Sequence, residues 1–337
     1  MIFDLKRILP IYCLMALNLF YGQENTQKSG NKDNYRLVED WPRSPSDSVM
    51  GQPSGLGVDS HGDLIVFHRA GAASGSDPSI LIPRNTIVKL EAKTGKVLDA
   101  WGADLFSWPH GLNVDPDDNI WVTDVGLHQI FKFAPNGILL MKLGVAGEPG
   151  SDSLHFNKPT DVAVAEDGSF YVSDGYGNSR IVKFSPSGKF LFQWGESGDG
   201  KGQFDIPHSV DIDGDGNVIV ADRENARIQK FDAKGNFLME WKNGSGAAVY
   251  GVKAVPSQNT LFAVDYLVKN DTLILGSNII RFGPDFDVRK QFGRIGSYDG
   301  PISRYHDIEL DANQNIYVAD LLHNRVQKFQ LVEMNLH

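Results

Sequence analysis

Cysteine is nearly absent from this chain. Its 337 residues include one, Cys13, so the fold cannot be held by an internal disulfide. Positive charge is also scarce: Lys and Arg total 32 against 42 Asp and Glu, a formal charge of −10. That balance argues against general affinity for nucleic acid or anionic lipid. Long apolar runs are confined to "ILPIYCLMALNLF" at 8–20, preceded by Lys6 and Arg7 and followed by a polar stretch. The run has the length of a signal-peptide core and is short for a membrane span. We therefore expect a signal peptide over 1–22, a polar linker over 23–34, a secreted or periplasmic location, and no membrane insertion after cleavage. Cys13 would be removed with the signal.

What the sequence has in quantity is glycine, 35 residues, within a composition that is 41% hydrophobic. The glycines fall in a repeated phrase. "SWPHGLNVDPDDNIWVTD" at 107–124 returns as "IPHSVDIDGDGNVIVAD" at 206–222 and "RYHDIELDANQNIYVAD" at 304–320. Weaker copies are "QPSGLGVDSHGDLIVFH" at 52–68, "KPTDVAVAEDGSFYVSD" at 158–174 and the degenerate "VYGVKAVPSQNTLFAVD" at 249–265. Each copy reads as an alternating strand, a tight Asp/Gly/Asn turn and a second strand. A loop, a third strand, a Gly-containing turn and a fourth strand follow. Six such units without helical periodicity between them predict an all-β, six-bladed β-propeller over 35–332, with a C-terminal tail over 333–337. The sixth copy ends after its third strand, so "YRLVEDW" at 35–41 is expected to supply the missing outer strand and close the ring.

Aligning the copies on their first strand brings Ser54, His110, Thr160, His208, Tyr250 and His306 to one register. Histidine occupies alternate copies. Alternate blades of a six-fold ring are related by about 120°, so three imidazoles at one height must converge on the channel axis. Three nitrogen ligands with an open fourth position is the donor set of a catalytic zinc site. The strand meander returns the loop after each second strand to the same face, which brings Arg69, Tyr176 and Arg223 to the mouth. Arginines there suit a carboxylate ligand, and a tyrosine beside a metal can ionise below its usual pKa of about 10 and act as a base. Arg180, Arg227 and Arg325 recur in an "NxR" register and read as blade-to-blade ties. "DIDGDG" at 211–216 resembles the opening of an EF-hand loop, but it lacks the Glu at position twelve and flanking helices, and reads as a tight turn. The other histidines, including His68 and His128, read as structural.

The stretches at 108–133, 158–195 and 221–231 closely resemble the peptidyl-α-hydroxyglycine α-amidating lyases, six-bladed propellers of the NHL-repeat type. The resemblance runs from about residue 50 to 332. It implies a lyase that cleaves the N–Cα bond of a C-terminal α-hydroxyglycine in a peptide or small acyl substrate, giving an amide and glyoxylate. It also implies zinc on His110, His208 and His306, a catalytic Tyr176, and active-site Arg69 and Arg223. A structural calcium ion would be held at positions corresponding to Leu56, Leu112 and Asp307, by two main-chain carbonyls and a carboxylate. The partner implied is a separate copper monooxygenase that makes the hydroxyglycine, and a monomer is expected. The family's methionine and proline before the third histidine are Arg304 and Tyr305 here, and Gly177 stands where the family has a cysteine. Two other readings compete. A non-catalytic propeller binding a peptide or glycan at this mouth would need no tight metal. A calcium-dependent lactonase or esterase would ligate its ion mainly through oxygen, which three histidines count against.

Overall fold

The computed structural model describes residues 35–39, 41–42, 50–71, 80–270, 272–294 and 301–332. The expected signal peptide, linker and C-terminal tail lie outside them. The described residues form six antiparallel sheets. Blade 1 runs Pro53–Val58, Leu64–His68, Ile87–Leu90, Val97–Trp101, and blade 2 runs Pro109–Val114, Ile120–Asp124, Gln129–Phe133, Leu139–Leu143. Blades 3 and 4 repeat the meander from Asp161 to Trp194 and from Pro207 to Lys242. Blade 5 runs from Ala248 to Phe292, and blade 6 uses Tyr305–Leu310, Ile316–Asp320 and Arg325–Leu331. The ring closes as the sequence predicts: Tyr35–Leu37 pairs antiparallel with the last strand, Tyr35 opposite Leu331 and Leu37 opposite Phe329.

Blade 5 differs from its siblings. Its second strand extends over Thr260–Lys269 and folds back on an additional strand, Leu273–Gly276, that the repeat grammar did not predict.

The core is divided among the seams between blades. Successive side chains of a strand point to opposite faces, so each blade's second strand feeds two clusters. Leu64 and Val66 join Tyr317, Ala319 and Val326 of blade 6. Ile65 and Phe67 join Leu112, Val122 and Phe133 of blade 2. Second strands such as Ile120–Asp124 and Val218–Asp222 are therefore buried throughout, while outer strands such as Phe190–Trp194 alternate half-buried and exposed. The "DIDGDG" segment is a turn as expected: Asp213 accepts the Asn217 and Asp215 N–H groups and pairs with Lys230 at 2.7 Å.

Candidate metal centre and channel mouth

The inner strand of each histidine-bearing blade carries one residue too many opposite its neighbour. The register slips between Pro109 and Leu112, between Pro207 and Ser209, and between Tyr305 and Ile308. In blade 4 the unpaired residue is His208 itself. A β-bulge of this kind re-aims a side chain, and here the imidazoles meet. Ring centroids of His110, His208 and His306 lie 4.7, 4.6 and 4.7 Å apart, a nearly equilateral triangle. All three rings are buried.

Hydrogen bonding fixes the tautomers. His110 Nδ1 lies 2.6 Å from the Thr160 carbonyl oxygen, His208 Nδ1 2.7 Å from that of Tyr250, and His306 Nδ1 2.7 Å from that of Ser54. A carbonyl only accepts, so each Nδ1 carries the proton and each Nε2 presents a lone pair. The acceptors are the three aligned residues that are not histidine, each on the next blade. His306 Nε2 is buried without a hydrogen-bond partner. Burial first, then neighbouring cationic and imidazole groups, holds all three far below the usual histidine range, so they stay neutral. Ligand atoms of the three lie within 4.8 Å of one another. Neutral, convergent imidazoles with an orphaned nitrogen fit a tetrahedral N-ligated divalent cation such as zinc.

Tyr176 is brought over this triangle by a backbone that only glycine permits: a Cβ on Gly175 would lie 2.0 Å from the Pro207 carbonyl oxygen. Its hydroxyl is 3.1 Å from both His110 Nε2 and His208 Nε2, and it accepts a hydrogen bond from Arg223 at 3.0 Å. Burial raises the Tyr176 pKa, and Arg223 and Arg69 only partly offset it. The expectation that this tyrosine ionises is thus not met by the chain's own groups; a bound dication would have to supply the remaining pull.

The two arginines do different things. Arg69 lines a cavity of about 460 Å³ with His306 and Tyr176. It is steadied by the Pro109 carbonyl and Gln52 Oε1 and lies over the Trp108 ring at 5.2 Å. Arg223 instead is pinned by Glu224 at 2.7 Å and spends its other arm on Tyr176. It is a tyrosine partner more than a carboxylate grip.

Deeper in the channel, Leu56, Leu112 and Asp307 line one small pocket together with Asp161, which the sequence reading missed. Asp161 holds the same register as Asp307, one residue past the aligned position, which is the signal that could have found it. Burial first, and then nearby carboxylates, pushes Asp161 up to about 7 and Asp307 well above its ordinary value. Asp307 accepts the Leu56 and Ile308 N–H groups. Lys253 in the same pocket is committed to Glu309 at 2.9 Å. A hard cation between these oxygens would relieve the repulsion, so the donors fit calcium.

The recurrent arginines prove to be ties with a definite target. Arg227 pairs with Asp222 and grips the carbonyls of Asp199, Gly200 and Gln203, in the segment that arrives from the preceding blade. Arg180 holds Asp174 and the Ser151 and His155 carbonyls in the same way. Arg325 is looser, 3.7 Å from Asp320 and partly exposed.

An NHL repeat family model matches residues 106–133, 156–184 and 204–231, which fall in blades 2, 3 and 4. Over 317 residues the chain is 40% identical to the Mus musculus peptidyl-glycine alpha-amidating monooxygenase, a match covering 86% of this chain and 31% of that protein. The chain thus spans under a third of that relative. Over 235 residues it is 37% identical to a Caenorhabditis elegans protein named probable peptidyl-alpha-hydroxyglycine alpha-amidating lyase, covering 64% of this chain and 67% of the relative. Among solved structures, virginiamycin B lyase from Staphylococcus aureus with quinupristin superposes with a TM-score of 0.57 at 16% identity, covering 90% and 89% of the two chains. At that identity the likeness concerns the fold alone.

Proposed function

The chain belongs to the peptidyl-α-hydroxyglycine α-amidating lyase family, and on that premise we propose that it cleaves the N–Cα bond of a C-terminal α-hydroxyglycine. The products are an amide and glyoxylate. The observation that carries the reading is the imidazole triangle with the Tyr176 hydroxyl 3.1 Å from two of its Nε2 atoms. His110, His208 and His306 are the residues that would hold zinc. When bound, such an ion supplies Lewis-acid polarisation of the substrate's hydroxyl oxygen and electrostatic support for an ionised Tyr176.

The protein's own groups account for the rest. Arg69, stacked on Trp108 and facing the cavity, grips the glycine carboxylate and orients the Cα–OH toward the triangle. Tyr176 takes the hydroxyl proton as general base. Arg223 donates to the Tyr176 oxygen, favouring its anion and fixing its direction. As the C–O bond becomes the aldehyde of glyoxylate, the N–Cα bond breaks and the nitrogen leaves as an amide. One proton is lost from oxygen and one gained by nitrogen, so the reaction needs no redox partner. Calcium on Asp307 and the Leu56 and Leu112 carbonyls would neutralise the lower channel. We assign the prior hydroxylation to a copper monooxygenase and the working location to a secreted or periplasmic space.

The test is glyoxylate release from an N-acyl-α-hydroxyglycine by purified protein, before and after chelation and again after zinc is restored. Turnover that survives complete removal of metal, or its absence from metal-replete folded protein, would overturn the reading.

A further inference from the structure

The residue two positions before the aligned one lines the channel-mouth cavity in four of the six blades. Blades 6, 1, 2 and 3 present Arg304, Gln52, Trp108 and Lys158, all lining the 460 Å³ cavity. Blades 4 and 5 present Ile206 and Ala248. Among the described residues no Asp or Glu lines the cavity, although the chain as a whole carries −10.

Arg304 is not spent on structure. Its guanidinium lies over the rings of Tyr250 and Tyr266 at 5.3 and 5.1 Å, and one arm donates to the Tyr250 hydroxyl at 2.8 Å. Its Nε is buried without a hydrogen-bond partner. Neither Arg304 nor Arg69 has an ion-pair partner among the described residues, whereas Arg223 has Glu224. Lys158 is a third cation of this lining without an ion-pair partner among the described residues, and the two guanidiniums lean on different rings. Arg304 is drawn toward blade 5 by its tyrosines, and Arg69 toward blade 2 by Trp108. The two guanidiniums, on adjacent blades, thus have separate aromatic anchors and lie close enough to repel each other, which favours an anionic group at each.

We propose that Arg304 selects a second anionic group on the substrate, the side-chain carboxylate of the residue preceding the hydroxyglycine, so that acidic acyl-α-hydroxyglycines are the preferred class. The inference rests on the lyase reading for the identity of the first carboxylate, the one at Arg69. A guanidinium already desolvated on aromatic rings loses little in meeting an anion, and a neutral isostere leaves it unpaired.

The test separates binding from turnover. Dissociation constants of N-acetyl-Glu-Gly and N-acetyl-Gln-Gly, which are not hydroxylated, are measured by calorimetry on metal-replete wild type, Arg304→Met, Arg304→Gln and Arg304→Lys. Wild type is expected to favour the Glu probe about tenfold, ~1.4 kcal/mol. The ratio should fall below about twofold in the Met and Gln variants, survive in part with Lys, and shrink in wild type as salt rises. Equal affinities in wild type, or a ratio that survives in both neutral variants, would overturn the inference. So would an equal loss for both probes, which would put Arg304 on the glycine carboxylate they share. Circular dichroism checks folding, and the Lys variant keeps the comparison decisive if a neutral one unfolds. Hydroxylated versions of both probes then report glyoxylate: no release with discrimination intact sinks the lyase reading alone, and release without discrimination sinks this inference alone.

Discussion

Lowering the pH should unlatch blade 1 through His68. In the other five blades the residue at this register of the second strand is aspartate: Asp124, Asp174, Asp222, Asp265 and Asp320. Asp124, for example, accepts the N–H groups of Ser107, Trp108 and Leu127. Blade 1 substitutes His68, whose Nδ1 accepts the N–H groups of Gly51 at 3.1 Å and Ala70 at 3.0 Å. Those bonds require a lone pair on Nδ1, so they exist only for the neutral ring. Burial accordingly lowers the pKa of His68 from 6.5 to about 4. The folded state therefore binds this proton less readily than the unfolded chain, and the stabilisation is complete above pH 6.5 and lost as pH falls toward 4. At ~1.4 kcal/mol per pH unit the whole effect is ~3 kcal/mol, of which ~2 kcal/mol is gone by pH 5. His68→Asn keeps an acceptor oxygen and cannot titrate. Urea unfolding of both proteins between pH 7.5 and 5 should show the wild type losing about 2 kcal/mol relative to the variant. Their common carboxylate titrations cancel in the difference. A difference constant within about 0.5 kcal/mol, or an NMR titration of His68 near 6.5, would refute the reasoning.

Other outcomes follow from the same geometry. Tyr176→Phe should lower the rate of glyoxylate release by at least about 100-fold while bound metal is retained; a smaller loss would remove Tyr176 as the base. His208→Ala should bring zinc well below one per chain in elemental analysis while the β-sheet circular dichroism persists, since the ring gives the blade 4–5 seam one hydrogen bond and belongs to neither hydrophobic cluster flanking blade 4; unchanged zinc would take His208 out of the ligand set. Arg227→Met leaves Asp222 buried and unpaired and should cost about 3–5 kcal/mol in urea unfolding. Arg325→Met removes a partly exposed arginine 3.7 Å from a buried Asp320 that also meets His323 at 2.6 Å, and should cost under about 1 kcal/mol; equal costs would show that burial does not set the strength of these ties.

Much of this was legible because a repeat protein states its rules several times. The six copies fixed blade number, strand order and the closing strand, and the alternation of histidine in one register predicted the triangle. The bulge that aims those rings was not legible, since an extra residue in a strand changes pairing without changing the polar–apolar pattern. Nor was the division of labour between Arg69 and Arg223, because both occupy the corresponding loop of their blades and differ in their neighbours, Gln52 and Trp108 against Glu224 and Tyr176. Asp161 and His68 were readable by register, but they needed attention to positions where one copy departs from the others. The extra strand of blade 5 lay in a degenerate copy, whose "LVKNDTLILG" reads as hairpin only once the second strand is known to run on to Lys269.

The bonds from His110 to Thr160, His208 to Tyr250 and His306 to Ser54 run from blade 2 to 3, 4 to 5 and 6 to 1. Each of the three imidazoles is thus oriented by the neighbouring sector and not by its own. A circular permutant opened at an outer turn would rebuild the centre intact, because every donor keeps its downstream neighbour. Excising a single sector would leave one imidazole free to spin, and two half-rings expressed apart would have to reassociate before the three nitrogens could converge.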